Sequence, residues 1–209
     1  MNKAANAALV PTAYVVDDDE ALRTLWRWLM DSNGFAVRTF STAAEFIECH
    51  DPEAPGCLVL DLRLPGMSGL ELQDYLKKKG IEIPIVFVTG HGDVATAVTA
   101  IKGGAVDFIE KPFSYREVLA IIERAFQRDA ESRERRARMA MLTERERAVL
   151  RCIIAGKQNK VIAGELNISV KTVEFHRSKV MEKMRAGSVA ELVQRTLGLS
   201  LMEAPGPDG

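Results

Sequence analysis

Four groups of polar residues in the first half of the chain have the types and spacing to do chemistry together. The acidic run Asp17-Asp18-Asp19-Glu20 follows the apolar stretch Ala13–Val16. Asp61 closes Cys57-Leu58-Val59-Leu60, Thr89 closes Ile85-Val86-Phe87-Val88, and Lys111-Pro112 follows Val106-Asp107-Phe108-Ile109-Glu110. Each group falls at or just past the end of a short apolar run of the kind that forms a buried parallel strand. In a parallel α/β sheet the carboxyl ends of the strands lie on one edge, and ligands bind there. Two carboxylates after the first strand, one after the third, a hydroxyl and a lysine on that edge suit a divalent cation and a phosphoryl group. Mg2+ takes hard oxygen ligands, and crowded acids favour a cation over staying bare. With charge offset in this way, Asp61 can attack a phosphodonor and form an acyl phosphate. Lys111 would pair with one phosphoryl oxygen and Thr89 would donate a hydrogen bond to another, with Gly90 leaving room for entry. Taken singly, each residue has a plainer reading. A lone Asp at a strand end commonly caps a helix, and an acidic run suits a helix N-terminus. The coincidence of four such residues at four strand ends is what points to a site.

Positioning them requires alternating strands and helices. Strands are expected at Ala13–Val16, Ala36–Phe40, Cys57–Leu60, Ile85–Val88 and Val106–Ile109. Helical patterns lie between and after them, at Ala21–Asp31, Thr42–Cys49, Gly69–Lys79, Val94–Lys102 and Tyr115–Phe126. Asn33-Gly34, Lys79-Gly80 and Gly103-Gly104 read as helix stops. Five such units imply a five-stranded, parallel, doubly wound sheet of flavodoxin-like type over residues 13–126. Residues 127–141 change to Arg, Glu and Ala without Gly or Pro, which favours a solvated helix that extends the fifth one as a linker.

From Leu142 the pattern is helical throughout. Thr143-Glu144-Arg145-Glu146 is a capping box that opens a helix running to Gly156. A short helix follows at about Asn159–Leu166, then a turn at Asn167-Ile168-Ser169, a helix over Val170–Met184 and a last one over Val189–Leu197. Two helices joined by a tight turn, the second bearing His176, Arg177, Lys179 and Lys183, make a helix-turn-helix inside a four-helix domain over residues 142–199. Lys171, Thr172, Glu174, Phe175, Arg177, Ser178 and Lys179 occupy its first turns. Lys171, Thr172, Arg177 and Lys179 suit phosphate contacts. Glu174 either accepts from a cytosine amine or pairs with Arg177 or Ser178. His176 either bonds internally or meets a phosphate, and Val173 and Val180 belong to the core. Residues 1–12 and 200–209 are expected to be a disordered lead and a flexible tail.

Charge supports a division of labour. The net charge of −1 conceals 12 basic and 18 acidic side chains in residues 1–126 against 11 basic and 6 acidic in residues 143–198. A basic second half beside an acidic first half fits nucleic acid as the partner of the second. No apolar run approaches the roughly 20 residues that span a bilayer, and a cytoplasmic protein is expected. The three cysteines, Cys49, Cys57 and Cys152, show no paired spacing and read as reduced thiols.

These motifs resemble a known family. Val15-Val16-Asp17-Asp18-Asp19-Glu20, Leu60-Asp61-Leu62-Arg63-Leu64-Pro65-Gly66-Met67-Ser68-Gly69, Thr89-Gly90-His91-Gly92-Asp93 and Asp107-Phe108-Ile109-Glu110-Lys111-Pro112-Phe113 look like the receiver domain of two-component response regulators. Leu142-Thr143-Glu144-Arg145-Glu146, Asn159-Lys160-Val161-Ile162-Ala163, Ser169 to Arg177 and Ser188-Val189-Ala190-Glu191-Leu192 look like the LuxR-type helix-turn-helix. The combination is similar to the FixJ subgroup of the FixJ/NarL family over about residues 13–198. The resemblance implies that Asp61 takes phosphate from a sensor histidine kinase. Mg2+ or Mn2+ would then be held by Asp18, Asp61 and the backbone carbonyl of Arg63, with Asp17 reaching it through water. It also implies a Thr89–Phe108 switch pair, a homodimer in the phosphorylated state, and promoter DNA and RNA polymerase as partners. Arg63 and His91 would flank the site.

Two other classes fit less well. An aspartyl-phosphate enzyme of the haloacid dehalogenase kind places a second Asp two residues after the nucleophile, where this chain has Arg63. A flavodoxin-like cofactor binder needs a Gly/Ser/Thr loop after the first strand, where this chain has acids. A constitutive DNA binder using the first domain only to dimerise is the remaining variant, and the intact phosphorylation residues argue against it.

Overall fold

The structure is a computed structural model, described here over residues 10–90 and 93–196. The expected lead and tail lie mostly outside those residues, as do His91 and Gly92. Five strands form one parallel sheet: β1 (Thr12–Val16), β2 (Ala36–Phe40), β3 (Gly56–Leu60), β4 (Ile85–Thr89) and β5 (Asp107–Glu110), in the order β2-β1-β3-β4-β5. This is the flavodoxin-like order, whose direction reverses between β1 and β3. The helices α1 (Glu20–Ser32), α2 (Ala43–Cys49), α3 (Gly69–Lys78) and α4 (Val94–Lys102) follow the first four strands. A fifth, α5 (Tyr115–Ala140), follows β5.

Alternation along the strands splits the core in two. Ala13, Val15, Cys57, Val59, Val86, Val88 and Ile109 face one way, onto Trp26, Leu29 and Met30 of α1 and Val118, Ile121 and Ile122 of α5. Tyr14, Val16, Leu58, Leu60, Ile85 and Phe87 face the other way, onto Phe46 of α2, Leu72 and Leu76 of α3 and Ala100 of α4. The strands are buried on both sides, so they read as continuous apolar runs, and a polar residue at a strand end stands out.

The chain divides into two compact units, Met1–Ala130 and Glu131–Gly209, with the division inside α5. The helix continues from the fifth unit through the Arg- and Glu-rich stretch, in keeping with its composition. One residue there departs from the solvated reading. Asp129 is 2% exposed, and its Oδ2 accepts the backbone N–H of Gly56 at 2.9 Å. The first amide of β3 needs an acceptor where the sheet begins, and a side chain on Gly56 would collide with the Thr12 carbonyl. Burial, reinforced by the charge of Asp129, pushes the Cys57 thiol far above its ordinary range, so Cys57 is an inert core residue.

The second unit is helical: α6 (Glu144–Ile154), α7 (Asn159–Glu165), α8 (Val170–Lys183) and α9 (Val189–Thr196). Val149, Leu150, Ile153, Ile162, Val173, Val180, Met184 and Leu192 form its core. Asn167, in the turn between α7 and α8, has φ +51°, a left-handed conformation that Asn tolerates better than most residues. Thr143 and Glu146 close the expected capping box on α6. Glu146 is itself 4% exposed and takes a second partner, the Lys183 ammonium, at 2.7 Å. Burial works against the Glu146 charge, but the bonds from Lys183 and Thr143 outweigh it and hold the carboxyl below its usual range.

A carboxyl depressed in the folded state stabilises above its unfolded pKa, and that stabilisation is lost as pH falls through the depressed value. Glu146→Gln should therefore cost about 1–3 kcal/mol near neutral pH, the worth of a hydrogen bond to a charged group. It should also remove part of the acid sensitivity below about pH 4.5. Amide hydrogen exchange in α6 and α8 reads both effects, and parallel acid profiles for the two proteins would rule the ion pair out as their source.

Candidate phosphoacceptor site and DNA-facing helix

The acidic run after β1 divides its tasks residue by residue. Asp19 caps α1, accepting from the amides of Ala21 and Leu22. Asp17 turns into the protein and is 2% exposed. Its Oδ1 accepts the Asp19 amide at 3.0 Å, and the Arg23 guanidinium donates to its carbonyl at 2.7 Å. Asp18 stays exposed. Across the switch point Val16 pairs with Leu60 in register, and the Asp61 amide donates to the Val16 carbonyl at 2.9 Å. Pairing of β1 with β3 is thus what brings Asp17, Asp18 and Asp61 together. Their carboxylate oxygens lie within 4.8 Å of one another.

Lys111 enters from β5. Its amide donates to the Thr89 carbonyl at 2.8 Å, and the peptide bond to Pro112 is cis. Its ammonium lies 2.8 Å from Asp17 Oδ2 and 2.8 Å from Asp61 Oδ2. Burial lifts the Asp17 carboxyl above its ordinary value, and the Lys111 contact offsets only part of the rise. Burial works against the Lys111 charge too, but its bonds to Asp17 and Asp61 prevail and hold the ammonium above its usual value. The bonds thus favour the charged lysine, while the cost of burial falls on Asp17.

The loop after Asp61 is held close. The Arg63 amide donates to Asp61 Oδ1 at 3.2 Å, while the Arg63 side chain is exposed. Gly66 turns the chain with φ +82°. Ser68 and Glu71 form a capping box on α3. Gly69, the first residue of α3, sits where a Cβ would come within 2.3 Å of the Asp61 carbonyl, so only glycine lets the helix start this near the acid. Thr89 is fully buried at the end of β4. On the neighbouring strand Phe108 is half-buried, packed in the second core with its ring centroid 6.3 Å from that of Phe87.

The sequence thus named the acids, the lysine and the threonine that the structure brings to one sheet edge, while Phe108 lies within β5 against Phe87. It missed Arg23 and Gly69. The signal for Gly69 was the Pro-Gly-Met-Ser-Gly run, which marks a tight return. Nothing local marks an arginine that folds back on a carbonyl six residues earlier.

In the second unit, α8 is capped by Ser169, which accepts from Thr172 N. Val173 and Val180 are buried, as expected, and Lys171, Glu174, Phe175 and Ser178 are exposed. Thr172, His176, Arg177 and Lys179 are half-buried, and Lys179 pairs with Glu182 at 2.8 Å. His176 Nδ1 is buried and has no hydrogen-bond partner. Lys183 also has partners inside the fold. Its ammonium binds Glu146 and, at 3.2 Å, the Met141 carbonyl, because a buried carboxylate needs a cation. These bonds give it a structural role within the second unit.

An acid-lined switch point on a parallel sheet, followed by a helix-turn-helix, defines a phosphorylation-controlled transcription regulator. Residues 13–123 match the response regulator receiver domain, and residues 140–196 match the luxR family of bacterial regulatory proteins. The chain is 44% identical over 191 residues to the transcriptional regulatory protein FixJ of Azorhizobium caulinodans, covering 88% of this chain and 90% of that one. It is 43% identical over 190 residues to the response regulator protein TodT of Pseudomonas putida, covering 88% and 84%. Full-length FixJ from B. japonicum is a similar solved structure, at 43% identity and TM-score 0.54, covering 89% of this chain and 95% of that one. The chain belongs to the FixJ/NarL family of two-component response regulators, in its FixJ-like subgroup.

The close approach at Gly69 can be tested directly. Gly69→Ala should destabilise the receiver by about 1–3 kcal/mol, as overpacking does, and should displace the Asp61 loop. Thermal unfolding and amide hydrogen exchange of residues 61–69 against the wild type read the two effects; unchanged exchange would mean that the loop does not need the close contact.

Proposed function

We propose that Asp61 is the phosphoacceptor and that its phosphorylation by a sensor histidine kinase drives a dimerising, DNA-binding state. The observation that carries this reading is the Lys111 ammonium held at 2.8 Å between Asp17 and Asp61, beside Asp18. An Asp61 oxygen attacks phosphorus, the bond to the kinase histidine breaks, and the acyl phosphate forms on Asp61. The receiver promotes only this transfer to itself. The donor set of hard oxygens suits Mg2+ or Mn2+, with Asp18, Asp61 and the Arg63 carbonyl as ligands and Asp17 reached through water. A bound ion there would offset charge on the incoming phosphoryl group. Lys111 then turns from the carboxylates to a phosphoryl oxygen, since the greater negative charge now lies there. Thr89 donates its hydroxyl to another, and Phe108 moves into the space that Thr89 leaves.

The switch reaches the face formed by α4, β5 and α5. On α4, Val94, Val98 and Ile101 are exposed at spacings of four and three residues, so they share one stripe. An unpaired apolar stripe of this kind favours association with a second copy. A dimer doubles the contact of the helix-turn-helix with a two-fold related promoter site. We place the protein in the cytoplasm, recruiting RNA polymerase and activating transcription. Among the described residues no helix is long and apolar enough to cross a membrane.

Sedimentation with Mg2+, with and without a small phosphodonor, should show a donor-dependent shift from monomer to dimer, accompanied by tighter promoter binding. Asp61→Asn should abolish both responses, and donor-dependent DNA binding by that variant would reject the reading. Val98→Asp should still gain a phosphoryl group by intact mass yet remain monomeric. Dimerisation of the phosphorylated variant would move the interface to another face.

A further inference from the structure

The solvent face of α8 is formed by Val170, Lys171, Glu174, Phe175, Ser178 and Glu182, opposite Val173, Val180 and Met184 in the core. Four of these six side chains are polar or charged. Val170 opens the helix at 38% exposed, while Phe175, in the middle of the face, is 59% exposed and stands edge-on to the His176 ring at 5.5 Å. A scattered exposed hydrophobic residue is ordinary on a protein surface. This one sits in the middle of the face that a helix-turn-helix presents to DNA, one turn beyond Lys171 and one turn before Lys179.

The occupant follows from the chemistry of the ring. A phenyl group has no donor or acceptor. Set against the amine of cytosine or adenine, or the acceptors of guanine, it would strip water from a polar edge and return no hydrogen bond. Thymine alone among the four bases offers an apolar group in the major groove, its C5 methyl. The exposed Lys171 one turn earlier and the exposed Lys160 of α7 supply positive charge for the phosphates of the same duplex.

We propose that Phe175 is a specificity residue that reads the C5 methyl of a thymine in each half-site. The proposal rests on the DNA-binding reading of α8 and adds to it the base that the helix selects. Phe175 is exposed and Ala is a good helix former, so Phe175→Ala retains the fold.

The test uses the full-length, phosphodonor-treated protein and a duplex that it selects from a random pool. Replacing each selected thymine by deoxyuridine removes only the methyl group. At one position per half-site the wild type should bind about fourfold more weakly, the value of one buried methyl. Phe175→Ala should bind thymine and uracil duplexes alike while keeping the wild-type salt dependence, because the phosphate contacts are untouched. Two results would overturn the proposal: wild-type binding indifferent to every thymine methyl, or a Phe175→Ala variant that discriminates as well as the wild type. Failure to retrieve any duplex would instead overturn the DNA-binding reading, and the proposal with it.

Discussion

One ammonium between two carboxylates organises the first unit. Lys111 is 94 residues from Asp17 and 50 from Asp61, and a parallel sheet is what makes those distances vanish. The register of β1 with β3 sets the acids side by side, and the β4–β5 pairing delivers the lysine. Removing one partner from such a cluster leaves charge uncompensated in a partly buried place, which is costlier than never having built it. The arrangement is therefore stable only as a whole. It is also unbalanced, because Asp18 adds a third carboxylate that the single ammonium does not match. A site with surplus negative charge suits a bound cation. It must also rearrange when more negative charge is attached to Asp61.

The parts of this arrangement legible in the sequence are those written in local contrast. A polar residue ending a run of Val, Ile and Leu is conspicuous because both faces of the strand are buried. That contrast alone locates Asp61, Thr89 and Lys111 along the chain. Within Asp17-Asp18-Asp19-Glu20 the contrast is lost, since four adjacent acids look alike. Only the cap geometry distinguishes Asp19, which serves α1, from Asp17 and Asp18, which serve the cluster. Long-range polar partners leave no local trace at all. Asp129 meets the Gly56 amide across 73 residues and Lys183 meets Glu146 across 37, so in sequence both look like surface charges, and only the closed fold shows otherwise.

The same contrast explains how the chain makes two units without breaking a helix. Along α5 the buried positions Val118, Ile121, Ile122, Ala125 and Asp129 form a stripe that ends where the Arg- and Glu-rich stretch begins. Beyond it the helix no longer has apolar residues to give to the sheet, and Met139 packs with the second core instead. Helix propensity continues through the charged stretch, while the burial pattern changes hands. The receiver and the DNA-binding unit each keep a separate core, and continuous backbone links them.

Two separate cores leave the question of which surfaces communicate with the outside. In both units the answer lies in apolar side chains that their own core does not use. Val94, Val98 and Ile101 stand out from α4, the helix that follows β4. Phe175 stands out from α8 in the middle of a mostly polar face. Burying any of these within the chain would have gained stability at no chemical cost, yet the fold fills its interior with Phe87, Trp26 and Leu150 instead. Apolar area left in water gains free energy only when a partner covers it. On α4 the partner proposed above is a second copy with the same stripe, and on α8 it is the one base edge that carries a methyl group. The chemistry at Asp61 need supply only the small free-energy bias that decides when the first of these surfaces is covered.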